Sequence, residues 1–331
     1  MKSVLAAVIA TLSSAVAVVP AAFAADNVSG KLVLYTSQPN TDAQQTIDAF
    51  KAKHPNVDIS FVRDGTPPLL AKLRAEFEAG QPQPDVLLIA DSVTLEGLKK
   101  EGRLQPHEAA DVSAYPPGTH DPDKNWFSTK LITTGIAYNT KADFKPTSWE
   151  DLKRPEVKGQ LIMPSPLASG AALIHAATLT GNLPEGWGYY EALKQNDALA
   201  AGGNGGVLKA VAGGDKLYGV IVDYMPIREK AKGAPIEFVF PVDGVSAVTE
   251  PVAILKTAKN PEAAKAFVDF ILSQEGQDLA RQQGYIPAHP EVALPEGFPA
   301  RSTIKVLSFD PAKALEDEAK NKKEFADIFG Q

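Results

Sequence analysis

Cysteine is absent from the 331-residue chain, so neither a disulfide nor the lipidated cysteine of a bacterial lipoprotein can form. Histidine is scarce. Its 5 copies, His54, His107, His120, His175 and His289, are scattered and match no ligand spacing, which argues against a zinc centre. The His120-Asp121-Pro-Asp123 cluster reads as a solvated loop rather than a hard-cation site. Basic blocks are also missing: 33 Lys+Arg stand against 40 Asp+Glu, a mild acidic excess that argues against nucleic acid or an anionic membrane surface as partner. The chain contains no Gly-x-Ser-x-Gly elbow and no recognisable pairing of nucleophile and base, so catalysis has no support in its motifs. No metal and no cofactor is expected.

One apolar run is present, at the N-terminus. Lys2 supplies a positive start, residues 4–19 are apolar and small, and Ala22-Phe23-Ala24 fits the cleavage pattern of a secretory signal peptide. Thr11, Ser13 and Ser14 interrupt the run, which is short for a membrane about 30 Å thick. The reading is a signal peptide over residues 1–24, a mature chain from Ala25, and export to an oxidising compartment. Roughly 300 mature residues exceed one typical domain, so two lobes are expected.

Residues 31–35, 57–62 and 85–89 have the short apolar composition of strands, with helical spacing over 41–53, about 69–77 and about 92–101 between and after them. Alternation of this kind predicts a parallel sheet with right-handed crossovers. A second α/β unit follows, with strands near 161–163 and 217–222 and helices near 171–180 and 184–195. Segments 132–138 and 249–255 read as crossover strands. From Pro261 the pattern is helical, ending in a charged helix over 312–329. The expected division is 25–133 for the first part of lobe one, 134–250 for lobe two, and 251–331 for the return to lobe one and the C-terminal helices.

Ligands of parallel sheets bind beyond the carboxyl ends of the strands. In the first lobe those ends carry Thr36-Ser37, Asp64-Gly65-Thr66 and Asp91-Ser92; in the second they carry Ser165, Ser169 and Asp223. Each is also a common turn former or helix cap, and that plainer reading stays open. Ser169-Gly170-Ala171 leads into a helix whose first N–H groups lack intrahelical partners, a suitable place for a phosphate or carboxylate. The run from Ala201 to Gly206 lacks a Walker ending and is read as a bend presenting Asn204.

Gly135-Ile-Ala-Tyr-Asn-Thr140, Pro146-Thr-Ser-Trp-Glu-Asp-Leu152, Val157-Lys-Gly159 and Ser169-Gly-Ala171 occur in that order. They are followed by Asn204, Leu208-Lys-Ala-Val211, Gly219-Val-Ile-Val-Asp-Tyr224, Phe270-Ile-Leu-Ser-Gln-Glu-Gly-Gln277 and Gly284-Tyr-Ile-Pro287. Through these motifs essentially the whole mature chain resembles the family 1 extracellular solute-binding proteins of ABC importers. Within that family it is similar to the ferric-binding-like branch of iron, hexose phosphate and aminoethylphosphonate receptors.

The resemblance implies the periplasmic-binding-protein type II fold, two α/β lobes joined by two crossover strands and closing over a solute. It also implies a periplasmic, non-enzymatic monomer that docks on a cognate permease in the inner membrane. The iron pattern of the branch is mostly missing: its tyrosine pair reads Tyr224-Met225, its first-loop position falls at Pro39, and its glutamate position falls at Ala90 or Asp91. Methionine is a poor ligand for a hard ferric ion. The anion half is retained at Ser169, Gly170, Ala171 and Asn204, with Thr36 and Ser37 opposite. The resemblance thus implies a small anionic solute, a phosphonate or organophosphate by preference, with its headgroup on Ser37, Ser169, Gly170, Ala171 and Asn204. Asp91 or Asp223 is expected to bind a hydroxyl or ammonium at the other end, and Tyr224 to pack against the body. A ferric receptor using Tyr224 with a synergistic anion is the alternative; an exported hydrolase is a third.

Overall fold

The computed structural model describes residues 28–116 and 118–331; the segment read as a signal peptide, 1–24, lies outside the described residues. Strand Gly30–Thr36 pairs in parallel with Val57–Arg63 on one side and Val86–Leu88 on the other. Its alternate residues Leu32 and Leu34 are wholly buried with Phe50 of helix Asn40–Lys53 and Phe267 of helix Pro261–Leu272. Helices Thr66–Glu78 and Ser92–Lys100 complete the first lobe's β-α-β-α-β run. One strand departs from the parallel expectation. Pro251–Leu255 returns antiparallel to Val86–Leu88, because the chain re-enters the sheet from the opposite end.

The second sheet runs in the order Ile236–Val239, Lys130–Asn139, Tyr218–Val222, Leu161–Met163, Leu199–Ala200. Strand Tyr218–Val222 is buried throughout, and the glycine inside it, Gly219, has a packing reason: a Cβ there would fall 2.7 Å from Val207 and 2.9 Å from Val211 of helix Asn204–Gly213. The helix expected over 184–195 begins only at Gly188, after a turn in which Gly186 takes φ +56°. The helix expected over 312–329 is two, Pro311–Glu316 and Glu318–Phe329, separated at Asp317. The second of these buries Phe325 and Phe329 with Trp149, Tyr189 and Tyr190 in the second lobe's core, so the C-terminus finishes on that lobe.

The lobes are tied where strand Trp126–Ser128 leads into Lys130–Asn139 and where Ser246–Val248 leads into Pro251–Leu255. The two crossings lie side by side: Thr129 N donates to Thr249 O at 3.2 Å, and Thr129 Oγ1 to Glu250 O at 2.7 Å. Between them Lys130 Nζ meets Glu250 at 2.7 Å, both side chains 3% exposed, with the ammonium 3.9 Å from the centre of the Tyr285 ring. Glu250 holds φ +33°, a left-handed backbone that a non-glycine residue keeps only when its surroundings enforce it. The chain passes between the lobes a third time near Ile286–Pro287, which pairs with Lys130 and Leu131.

Removing one member of a buried ion pair leaves the other charge desolvated and uncompensated. Lys130→Met is therefore expected to cost about 3–5 kcal/mol of unfolding free energy in urea titration, and adding Glu250→Gln to recover most of it. A Lys130→Met protein as stable as the parent would show that the pair does not hold the crossings.

Candidate functional site

Five helices, Asn40–Lys53, Thr66–Glu78, Gly170–Asn182, Asn204–Gly213 and Tyr224–Ala231, begin on one cavity of about 490 Å³ between the lobes. That size suits a small organic solute. Ser169 caps its helix by accepting from Ala172 N at 3.3 Å, which leaves the N–H groups of Gly170 and Ala171 without an acceptor among the described residues. Asn204 is held from both ends of its amide: Oδ1 accepts from Val222 N at 3.2 Å, and Nδ2 donates to Ser169 Oγ at 3.2 Å. The Ser169 hydroxyl hydrogen is thereby turned away from its two donors and left free to donate. Partial positive charge at the helix starts and this set of donors make an environment suited to an oxyanion.

Ser37 lines the cavity from the first lobe, its Oγ accepting from Ala90 N at 2.9 Å. Tyr224 lines it as well, its ring centre 4.3 Å from that of Tyr285 and 4.5 Å from the Arg228 guanidinium. Burial drives the Tyr224 phenol well above its ordinary value, and the negative charge of Glu250 acts the same way. Of the residues expected at the site, Ser37, Ser169, Gly170, Ala171, Asn204 and Tyr224 are brought together.

Thr36, Asp91 and Asp223 do not line the cavity. Thr36 is wholly buried, its Oγ1 donating to Leu88 O at 2.9 Å and accepting from Gln38 N at 3.1 Å, so it stitches two strands. Asp91 accepts from Val93 N, Thr94 N and the Thr94 hydroxyl, capping helix Ser92–Lys100. Asp223 accepts from Thr133 N and Oγ1 at 2.9 and 2.7 Å and from Tyr224 N at 2.7 Å. Both carboxylates spend their oxygens on the protein, as the plainer capping reading allowed.

Sequence reasoning placed Thr66 on the first lobe's rim without giving it a role and passed over Arg63 and Glu250; all three line the cavity. Arg63 stands at the carboxyl end of a strand, a position that could have flagged it. Nothing local marks Glu250. Glycines also matter here. A Cβ on Gly65 would fall 2.0 Å from the Ala168 carbonyl oxygen, and one on Gly170 would fall 3.0 Å from both Thr66 Oγ1 and the Ala90 carbonyl. Gly65 has an ordinary φ of −61°, so close approach of the lobes, not backbone freedom, demands a glycine there.

Two facing α/β lobes with their helix starts turned toward one cleft define a two-lobed receptor of the type II periplasmic-binding-protein fold. The solved structure of the periplasmic binding protein AfuA of Actinobacillus pleuropneumoniae, with fructose-6-phosphate bound, superposes with a TM-score of 0.83 at 25% identity, covering 91% of this chain and 98% of that one. The family model described as bacterial extracellular solute-binding protein matches residues 81–314, and the chain belongs to that family, whose members serve ABC importers. An uncharacterized protein of Haemophilus influenzae is 31% identical over 274 residues, 78% of this chain and 77% of its own. The Fe(3+)-binding periplasmic protein of Serratia marcescens is 25% identical over 260 residues, 76% of each chain.

Two predictions follow from the geometry. Gly65→Ala sets a methyl against Ala168 only when the lobes are together, so its melting temperature without solute should stay within about 2 °C of the parent while solute affinity falls at least about tenfold. Equal affinity by calorimetry would mean that the Gly65–Ala168 approach is not part of the bound state.

The second concerns pH. Burial pushes Asp91 and Asp223 up to about 6, over the opposing hydrogen bonds from Thr94 and Thr133. A carboxyl whose folded value lies above its unfolded value of about 3.9 holds its proton more tightly when folded, so its contribution to stability falls as pH rises from about 4 to about 6. Asp91→Asn and Asp223→Asn should each flatten the decline of melting temperature across that window. An unchanged slope in both variants would rule out these groups as its source.

Proposed function

We propose that the protein is the periplasmic receptor of an ABC importer that captures a small organic anion carrying a phosphate or phosphonate headgroup. The signal peptide over residues 1–24 is removed, the mature chain acts as a monomer, and it delivers its solute unchanged to a permease in the inner membrane. One observation carries this reading: the unpaired N–H groups of Gly170 and Ala171 meet the Ser169 hydroxyl and the Asn204 amide on a single interlobe cavity. With Ser37 opposite, these groups hold the headgroup. Tyr224 packs against the body, and Glu250, buried on the cavity wall, accepts from its hydroxyl or ammonium in the role first expected of Asp91 or Asp223. A sugar phosphate occupies a structure of the same fold at 25% identity, which agrees with this chemistry.

The ferric alternative has Tyr224 on the cavity and an iron-binding relative in its favour. Against it stand Met225 in place of a second tyrosine and the cost of ionising a buried phenol. Among the described residues no three His, Asp or Glu side chains gather to hold a metal.

A thermal-shift series separates the readings, because a solute bound only by the folded protein raises its melting temperature by mass action. Sugar phosphates or phosphonates should stabilise the mature protein by several degrees at millimolar concentration. Ser169→Asp keeps the cap, since aspartate caps as well as serine, but places a carboxylate where the headgroup sits, and should abolish the shift without lowering the solute-free melting point. Stabilisation by ferric ion with added anion, and by no organic phosphate, would replace the proposal with the ferric one.

A further inference from the structure

We infer that Arg63 and Thr66 form a second half of the anion site, contributed by the first lobe, and that through Arg63 the receptor selects a doubly charged headgroup over a singly charged one. The inference rests on the anion reading above. Arg63 is the single lysine or arginine lining the cavity among the described residues. Its guanidinium is tethered by main-chain carbonyls, Nε donating to Gln38 O at 2.9 Å and Nη2 reaching Ser37 O at 3.5 Å. The Nε bond anchors one edge of this exposed guanidinium beside the cavity, and Nη1 has no acceptor among the described residues. A fork held in this way meets two oxygens of one headgroup with little loss of side-chain freedom.

Thr66 supplies the independent observation. It is 2% exposed and lines the cavity, yet its Oγ1 is buried without a hydrogen-bond partner among the described residues. A buried hydroxyl left unpaired is costly, so such groups in native proteins generally have a use. Thr66 opens the 13-residue helix Thr66–Glu78 and faces Gly170, which opens the helix of the opposite lobe. A headgroup in the cavity by this seam is gripped from both sides: by the Gly170 and Ala171 N–H groups and Ser169 from the second lobe, by Thr66 and Arg63 from the first.

Two carboxylates share the cavity wall with Arg63. Asp64, exposed like Arg63, points one oxygen at Gly65 N, 2.7 Å away, and Glu250 is balanced by Lys130, so Arg63 supplies the cationic side chain that a second negative charge on the solute would meet. Helix starts add partial positive charge without adding a proton that the solute must share. The hydroxyl of Thr66 is neutral and discriminates between oxygen and carbon, whereas Arg63 discriminates between charges. The two residues therefore have separable effects.

Methyl phosphate and methyl sulfate, equal in shape and differing by one charge near pH 8, are the probes, measured by calorimetry on the mature full chain. The wild type should prefer methyl phosphate by at least about tenfold. Arg63→Gln should weaken methyl phosphate about 10- to 100-fold and leave methyl sulfate within about threefold, while Thr66→Val should weaken both alike and Thr66→Ser restore them. Solute-free melting points close to the parent's certify that the variants fold. An undiminished preference in Arg63→Gln, or unchanged binding of both probes by Thr66→Val, overturns this inference and leaves the anion reading standing. A wild type that binds neither probe nor any sugar phosphate or phosphonate overturns both.

Discussion

The constraint on which the cleft depends is that the first N–H groups of a helix have no partner within the helix. Parallel β-α units place each helix start beyond the carboxyl end of a strand, and facing lobes turn two sets of such starts toward the same space. Ser169 and Asn204 relieve the problem only in part: one hydroxyl caps Ala172, one amide spans Val222 and Ser169, and the N–H groups of Gly170 and Ala171 remain for something else. An oxyanion answers that requirement by hydrogen bonding and by charge together. Under the proposed function, recognition therefore begins with backbone geometry, and side chains refine it.

The lobes must approach closely for this to work, and the seam is built for approach. Gly65 against Ala168 leaves no room for a methyl group, and at Gly170 one would crowd Thr66 and Ala90 at 3.0 Å. At the other end of the cleft, the side-by-side crossings and the Lys130–Glu250 pair limit how the lobes can move, since separating two charges that are both 3% exposed would strand each of them. At the seam the contacts are short-range and between small residues. The left-handed backbone of Glu250 fits this arrangement: it turns the chain from one sheet to the other while keeping its carboxylate beside both Lys130 and the cavity.

Much of the fold was legible because short continuous apolar runs and period-3.6 patterns report burial directly; the wholly buried Tyr218–Val222 and the buried face of Pro261–Leu272 are examples. The placement of Ser169, Gly170 and Ala171 on the cavity was legible for a related reason. Ser169, Gly170 and Ala171 act through local rules of capping and helix dipoles, which sequence carries. Asp91 and Asp223 obey the same local rules, and both lie off the cavity: Asp91 caps its helix, while Asp223 accepts from Thr133 and Tyr224. Arg63, Glu250 and the steric need for Gly65 were not legible in this way. Each depends on what a distant segment brings near, Gln38 O for the arginine, Lys130 for the glutamate, Ala168 O for the glycine.

Contacts between the lobes that involve no solute bear on how closure is driven. Arg228 of helix Tyr224–Ala231 makes a forked ion pair with Asp42 of helix Asn40–Lys53 at 3.0–3.2 Å, and Tyr285 donates to the same carboxylate. Because the guanidinium also lies 4.5 and 4.7 Å from the Tyr224 and Tyr285 rings, the pair is held in a partly desolvated setting where it counts for more than on the surface. Under the proposed function these bonds contribute part of the stability of the closed form, and a solute supplies the remaining difference between open and closed states by engaging donors on both sides of the seam at once. An anion touching the second lobe alone would bind without shifting that balance. The first lobe's donors are therefore what would couple binding to the closed form that a permease can distinguish.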